Sequence, residues 1–236
     1  MIEIITLVKY HELYEKMKAS AVKMASGPVQ FAHAHDEGQP ALAKTYNRLG
    51  SASKADILLF CHDDVEFLSP GWDQKLEQCI SAGFDVAGVV GTKEYNGGML
   101  FDSGYSFSAG KVVGQVDGKR AVRLMAHRNE IEPVDAVDGM FLAVSGEKFR
   151  RSAFDETFDG LWFYDIDYCL RSDCAVVDIL ISHDKPEHLR GVYPKDLRPM
   201  ADYEPAFNAK HGLVPPPIGE QRCEAMLLDD YMKVAV

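Results

Sequence analysis

Four short apolar runs, set apart by three segments of helical periodicity, fill the first ninety residues and constrain the fold more than any other feature. Residues 2–8, 29–32, 56–60 and 84–90 are brief and rich in aliphatic and β-branched side chains, as buried strands are. Between them, residues 11–24 put Leu13, Met17, Ala21 and Met24 on one face of a helix, and Gly27-Pro28 stops it. Pro40 suits the first turn of a helix over residues 40–52. Ser69-Pro70 reads as a cap and a first-turn proline for a helix over residues 71–82. Such alternation predicts an α/β chain with a mixed, mostly parallel central sheet flanked by helices. Right-handed crossovers align the carboxyl ends of the strands along one edge, where small ligands bind in such sheets.

The remainder is less regular. Residues 92–128 carry Gly97-Gly98, Gly104, Gly110, Gly114 and Gly118 among alternating residues, the pattern of hairpins and loops. Residues 134–144 read as a strand region broken at Gly139, residues 163–171 as a helix, and residues 175–182 as a last buried strand. Prolines punctuate the tail, with Pro215-Pro216-Pro217 among them, before a terminal amphipathic helix over residues 220–234. With no internal repeat, the chain divides into one domain over residues 1–198 and a C-terminal helical extension over residues 199–236 packed on it.

Charge narrows the function. Lys and Arg number 25 against 36 Asp and Glu, a formal net charge of -11. That surface repels phosphate backbones and anionic membranes, which excludes nucleic acid as a partner. An anionic small molecule would need a cation or a local basic group to hold it. The five cysteines have no metal-site spacing and are expected as buried thiols. Met1-Ile2-Glu3-Ile4 opens no leader-like segment, and no run approaches the roughly 18 apolar residues of a membrane span. A cytoplasmic protein, as monomer or homo-oligomer, is the expectation.

Three groups of residues can carry chemistry. Cys61-His62-Asp63-Asp64-Val65 directly follows the third apolar run, at the ligand edge of the sheet. Two residues apart in an extended loop, His62 and Asp64 point to one side and can hold a divalent cation. The same residues also suit a solvated turn with a capping Asp; the position after a buried strand favours the site. In residues 154–171 the aromatic side chains Trp162, Phe163 and Tyr164 crowd Asp165 and Asp167. Sugars stack on aromatic faces, and a half-buried carboxylate can take a proton from a sugar hydroxyl. Helix-start carboxylates would give the same charge pattern. His183, at the end of the last apolar run, can complete a metal site or serve structure; neutral imidazole suits Mn²⁺ better than Mg²⁺.

Taken in order, these segments resemble the family 2-type glycosyltransferases of the GT-A fold. Ala55-Asp56-Ile57-Leu58-Leu59-Phe60-Cys61-His62-Asp63-Asp64-Val65, followed by Ser69-Pro70-Gly71-Trp72, is similar to that family's metal-binding segment. There an apolar strand runs into an Asp-x-Asp motif, then a helix starting near a Pro and a Trp. Residues 41–47, ending on Asn47 before Gly50, resemble the preceding helix. Asp138-Gly139 through Arg150, then Phe154-Asp155-Glu156 and Asp165-Ile166-Asp167-Tyr168-Cys169-Leu170-Arg171, resemble the acceptor-side segment, whose first Asp is the family's catalytic base. His183 matches a His often found after the following strand. The resemblance spans residues 1–190. His62 stands where the motif has its first Asp, and Tyr164 where many members carry Glu.

The resemblance implies a GT-A-like nucleotide-diphospho-sugar transferase fold and a hexosyltransferase-like, inverting enzyme. It would move a sugar from a nucleoside-diphosphate donor to a carbohydrate or other hydroxyl acceptor. Asp64, His183 and His62 would hold the divalent cation, Mn²⁺ or Mg²⁺, and Asp165 would be the base. Thr6, Val8, Asp36, Asn47 and Asp63 would lie on the donor side, and Gly139, Trp162, Tyr164 and Asp167 on the acceptor side. Lys195 and Arg198 suit either a phosphate clamp or a solvated basic pair. Two rivals remain at this level. One is a non-catalytic nucleotide- or carbohydrate-binding module on the same fold, binding a nucleoside diphosphate without turning over a donor. The other is an HD-type phosphohydrolase, against which the position of His62-Asp63 after a strand weighs.

Overall fold

A computed structural model describes residues 1–36, 41–184, 200–214 and 224–234. The N-terminal half runs β1 (Ile2–Val8), α1 (His11–Met24), β2 (Val29–His35), α2 (Leu42–Ala52), β3 (Ile57–Cys61), β4 (Val65–Phe67), α3 (Trp72–Ser81), β5 (Val86–Gly88) and β6 (Val90–Thr92). Then come β7 (Ser108–Val116), β8 (Lys119–Leu124), β9 (Ile131–Val134), β10 (Ala136–Val137), β11 (Phe141–Ser145), α4 (Gly146–Arg151) and α5 (Tyr164–Cys169). The chain closes with β12 (Cys174–Val177), β13 (Ile181–His183), α6 (Glu204–His211), β14 (Glu224–Leu227) and α7 (Leu228–Val234).

The first sheet has seven strands in the order β2-β1-β3-β11-β5-β12-β9. Strands β2, β1, β3, β5 and β12 share one direction, and β11 and β9 oppose them, so the sheet is mixed with a parallel majority. Side-chain alternation along β3 sends Leu58 and Phe60 to one face and Ile57, Leu59 and Cys61 to the other. The first face packs against Leu42, Ala43 and Tyr46 of α2, Phe149 of α4 and Tyr168 of α5. The second packs against Tyr14, Met17 and Ala21 of α1 and Trp72, Leu76 and Cys79 of α3. Both faces being covered explains why β3 is apolar without alternation. Cys61, Cys79, Cys169 and Cys174 are buried free thiols, as expected.

A second sheet, β10-β6-β7-β13-β4, extends through β7 to β8 and β14. It corrects two sequence-level expectations. The run over residues 84–90 splits after Gly88, with β5 in the first sheet and β6 in the second. A Cβ on Gly88 would lie 2.5 Å from that of Val137, so the glycine permits the close passage where the chain changes sheets. The run over residues 175–182 splits in the same way into β12 and β13. A continuous apolar run reports burial on both sides and says nothing of which strands pair with it.

Two further expectations change. Ser69 does not cap α3: the cap position is Gly71 in a left-handed conformation (φ 67°), and Ser69 Oγ accepts from the Leu180 N–H at 2.7 Å. Residues 224–227, expected within a helix, form β14 and pair antiparallel with β8 from Glu224↔Leu124 to Leu227↔Ala121; the helix begins at Leu228. The bare edge of β8 offers backbone hydrogen bonds that outweigh the weak helix periodicity there. Pro40, Pro215-Pro216-Pro217 and Cys223 lie outside the described residues. No helix among the described residues is long and apolar enough to cross a membrane.

Candidate functional site

A cavity of about 380 Å³ opens at the carboxyl ends of β1, β2 and β3. It is lined there by Leu7 near the end of β1, Lys9 and Tyr10 after β1, Asp36 after β2, and His62, Asp63 and Asp64 after β3. Strand pairing supplies the other walls. Strand β11 runs antiparallel to β3 with Phe141 opposite Cys61, so the residues entering β11 arrive beside the residues leaving β3. The His62 N–H donates to the Met140 carbonyl at 3.1 Å, and Asp138, Gly139 and Met140 line the cavity. Strand β4 leaves the first sheet and pairs antiparallel with β13, with His183 opposite Val65. That register sets His183 next to Asp64.

His62, Asp64 and His183 each offer one ligand atom, and these atoms lie within 4.8 Å of one another. His183 Nε2 is 3.1 Å from Asp64 Oδ1 and 3.3 Å from His62 Nδ1. Adjacent ligand atoms about an octahedral ion with bonds of ~2.1 Å stand roughly 3 Å apart, so the donor set fits a single divalent cation. Two imidazoles beside one carboxylate suit a transition-type ion better than Mg²⁺.

Asp165 lies in the first turn of α5 and faces the same cavity. Its Oδ2 accepts from the Gly139 N–H at 2.7 Å and its Oδ1 from the Ile166 N–H at 2.9 Å. Burial pushes this carboxyl up to about 7, and the neighbouring Asp138 charge adds to the rise, against the lowering effect of the two N–H donors. A group so poised exchanges protons near neutrality. Gly139 is required at this contact, because a Cβ there would stand 2.4 Å from Tyr164 Oη and 2.7 Å from Asp165 Oδ2. Tyr164 Oη donates to the Gly139 carbonyl at 3.2 Å, closing the joint from the other side.

The remaining expected residues divide. Asp36, Asp63, Gly139, Trp162 and Tyr164 line the cavity. Asp63 also locks the β1–α1 loop, since its Oδ2 accepts from the Lys9 and Tyr10 N–H groups at 2.7 Å each. Thr6 and Val8 do not line it: Leu7 shares the cavity-side face of β1 with Ile5, whereas Val8 packs with Ile4 in the opposite core. Asn47 does not line it either, and instead brackets the Phe154 peptide, donating to its carbonyl at 3.0 Å and accepting from its N–H at 2.9 Å. Asp167 points inward, 0% exposed, and pairs with Arg171, Lys210 and His211. Lys195 and Arg198 lie outside the described residues.

Sequence reasoning missed Lys9 and Met200 among the lining residues, and named Asp138 only as the start of the acceptor-side segment without a site role. Lys9 was findable, because it follows β1 at its carboxyl end. Asp138 precedes the glycine that breaks residues 134–144. Met200 gave no local signal. Among the described lining residues Lys9 is the one Lys or Arg, against Asp36, Asp63, Asp64, Asp138 and Asp165.

The family model described as "Glycosyltransferase like family" matches residues 3–193. Among solved structures, S. aureus TarS 1-349 in complex with UDP-GlcNAc is 12% identical with a TM-score of 0.49, over 81% of this chain and 61% of that one. The mannosyltransferase PcManGT from Pyrobaculum calidifontis, in complex with GDP-Man and Mn2+, is 10% identical with a TM-score of 0.49, over 89% of this chain and 68% of that one. The chain therefore spans less than two-thirds of the TarS chain. No curated protein sequence matches it significantly.

Proposed function

The chain belongs to the glycosyltransferase-like family, and from that premise we propose that it transfers a sugar from a nucleoside-diphosphate donor to an acceptor hydroxyl, with inversion and with the help of a divalent cation. Its mixed sheet flanked by helices is the GT-A-like layout expected from the sequence. One observation carries the reading: His62, Asp64 and His183 share a single cavity with Asp165, the carboxyl held near neutrality.

In this reading His62, Asp64 and His183 hold the cation, Mn²⁺ before Mg²⁺ because two of the three ligands are imidazoles. Bound there, a cation would neutralise the diphosphate and stabilise the charge that builds on the leaving nucleoside diphosphate. The excess of carboxylates over cations along the walls supports a need for it, since the diphosphate would otherwise meet net negative charge. Lys9, at the β1 edge, adds one further positive charge to the donor side. Asp165 takes the proton from the acceptor hydroxyl as that oxygen attacks the anomeric carbon. Gly139 and Ile166 orient its two oxygens through their N–H groups, and Trp162 offers a flat apolar face to the acceptor sugar. Asp36 and Asp63 border the donor side at the ends of β2 and β3.

A thermal-shift series with nucleoside diphosphates and UDP- and GDP-sugars, with and without Mn²⁺, tests the proposal. Stabilisation by one nucleotide only when Mn²⁺ is present, with sugar transfer by the wild type and transfer about 10²–10⁴-fold slower in Asp165→Asn, is the expected outcome. Binding without turnover of any donor would favour a non-catalytic module. Nucleotide stabilisation indifferent to Mn²⁺ would remove the cation from the proposal.

A further inference from the structure

Helix α6 belongs to residues 200–214, beyond the segment that matches the family, yet it makes its contacts on either side of Asp165. Two residues before Asp165, Phe163 adopts a left-handed backbone with φ 67°, which a bulky side chain holds only when its surroundings enforce it. Phe207 of α6 stacks on this residue. Its ring lies 4.3 Å from that of Phe163 at an interplanar angle of 19°, and it is 0% exposed. Phe158 and Tyr95 pack edge-on against the same Phe207 ring. Two residues after Asp165, the buried Asp167 accepts from Lys210 and, at 2.9 Å, from His211, both in the last turn of α6. Lys210 also reaches Asp155 at 2.8 Å, and Tyr203, just before α6, donates from its Oη to Asp159 at 3.2 Å, so this segment holds the connection leading into α5 at two further points.

Helix α5 has six residues, too few to hold its own shape in water. Its orientation must come from tertiary contacts: Gly139 holds Tyr164, Arg171 shares Asp167, and α6 holds residues 163 and 167. We propose that α6 is a positioning element for the acceptor-side base: Phe207 fixes residue 163, Lys210 and His211 fix residue 167, and the carboxyl between them is thereby held against the Gly139 N–H. Met200, just before α6, reaches the cavity wall itself, so the same segment shapes the acceptor side. This rests on the reading of Asp165 as the base.

The test reads the Asp165 carboxyl directly, by carbon-13 NMR titration of the full chain without ligand. Phe207→Leu removes the ring stack and leaves every charge in place. The wild-type carboxyl is expected to titrate near pH 7. In Phe207→Leu the midpoint falls by about one pH unit as the loosened α5 admits water. Phe67→Leu, a matching loss in the opposite core, leaves the midpoint where it was. Should Phe207→Leu not fold, Phe207→Met carries the same comparison. A Phe207 variant whose midpoint stays with the wild type, or moves no further than that of Phe67→Leu, overturns the positioning role. Undiminished transfer in Asp165→Asn would overturn the catalytic reading alone, because the titration uses no substrate.

Discussion

The Asp165 carboxyl stands between two opposed influences. Cavity walls and Asp138 disfavour its charge, while the Gly139 and Ile166 N–H groups favour it, and the first influence prevails. The ordinary value of 3.8 applies to the unfolded chain and about 7 to the folded one. Between those values the folded chain keeps a proton that the unfolded chain releases, so this group's contribution to stability falls as pH rises across that window. Asp165→Asn removes the charge and keeps the shape. Its melting temperature relative to wild type should therefore be higher at pH 8 than at pH 5, while transfer falls by about 10²–10⁴-fold. Melting curves at the two pH values and a transfer assay check both halves. Gly139→Ala acts on the same joint by steric displacement of Tyr164 and Asp165. About a hundredfold loss of kcat is expected, since a shift of roughly 1 Å at a reacting group costs that much. An alanine variant with wild-type kcat would show that the joint has slack.

Among the elements, β3 is the buried base of the site and the β4–β13 pair one of its walls. Strand β3 is buried throughout and lies between β1 and β11. Strand β13 has three residues and brings His183 to Asp64 through one antiparallel register. His183→Ala should abolish the Mn²⁺-dependent part of nucleotide stabilisation. At a free nucleotide concentration about 100 times Kd, that part is worth about 2.7 kcal/mol, or roughly 5–10 °C for a chain of this size. Thermal shift with and without Mn²⁺ measures it, and an unchanged shift would take His183 out of the ligand set. Trp72 opens α3, as its place in the motif implies. It is fully buried on the sheet face opposite α2 and α5, and its indole Nε1 donates to the Ala21 carbonyl at 3.0 Å, tying α3 to α1. Trp72→Phe removes that bond, while the carbonyl keeps the Ala25 N–H at 3.0 Å, and should lower the unfolding free energy by about 0.5–1.5 kcal/mol in urea titration, with nucleotide binding retained.

For the whole molecule, the net charge of -11 works against an anionic donor. Without a divalent cation, association of a fluorescent nucleoside diphosphate should speed up as salt rises from low to physiological strength, because screening over about 8–10 Å removes repulsion. Stopped-flow rates that fall with added salt would point to a positive local field at the cavity. Much of this molecule was legible from local pattern. Apolar periodicity located α1 and β1 to β3, and the position of His62-Asp63-Asp64 after a buried strand marked the edge where the cavity opens. Asp165 stood out as a carboxylate among aromatics. Period-two reasoning applied to β1 would also have chosen Leu7 over Thr6 and Val8. Partner choice was not legible. That residues 181–183 pair with β4, that Gly139 meets Asp165, and that Asp167 turns inward to Lys210 and His211 all follow from contacts distant in sequence. Local sequence sets which segments become strand or helix, because periodicity and turn chemistry act over a few residues. Which side chains share a cavity is decided by long-range pairing and packing, where many weak contacts must be satisfied at once.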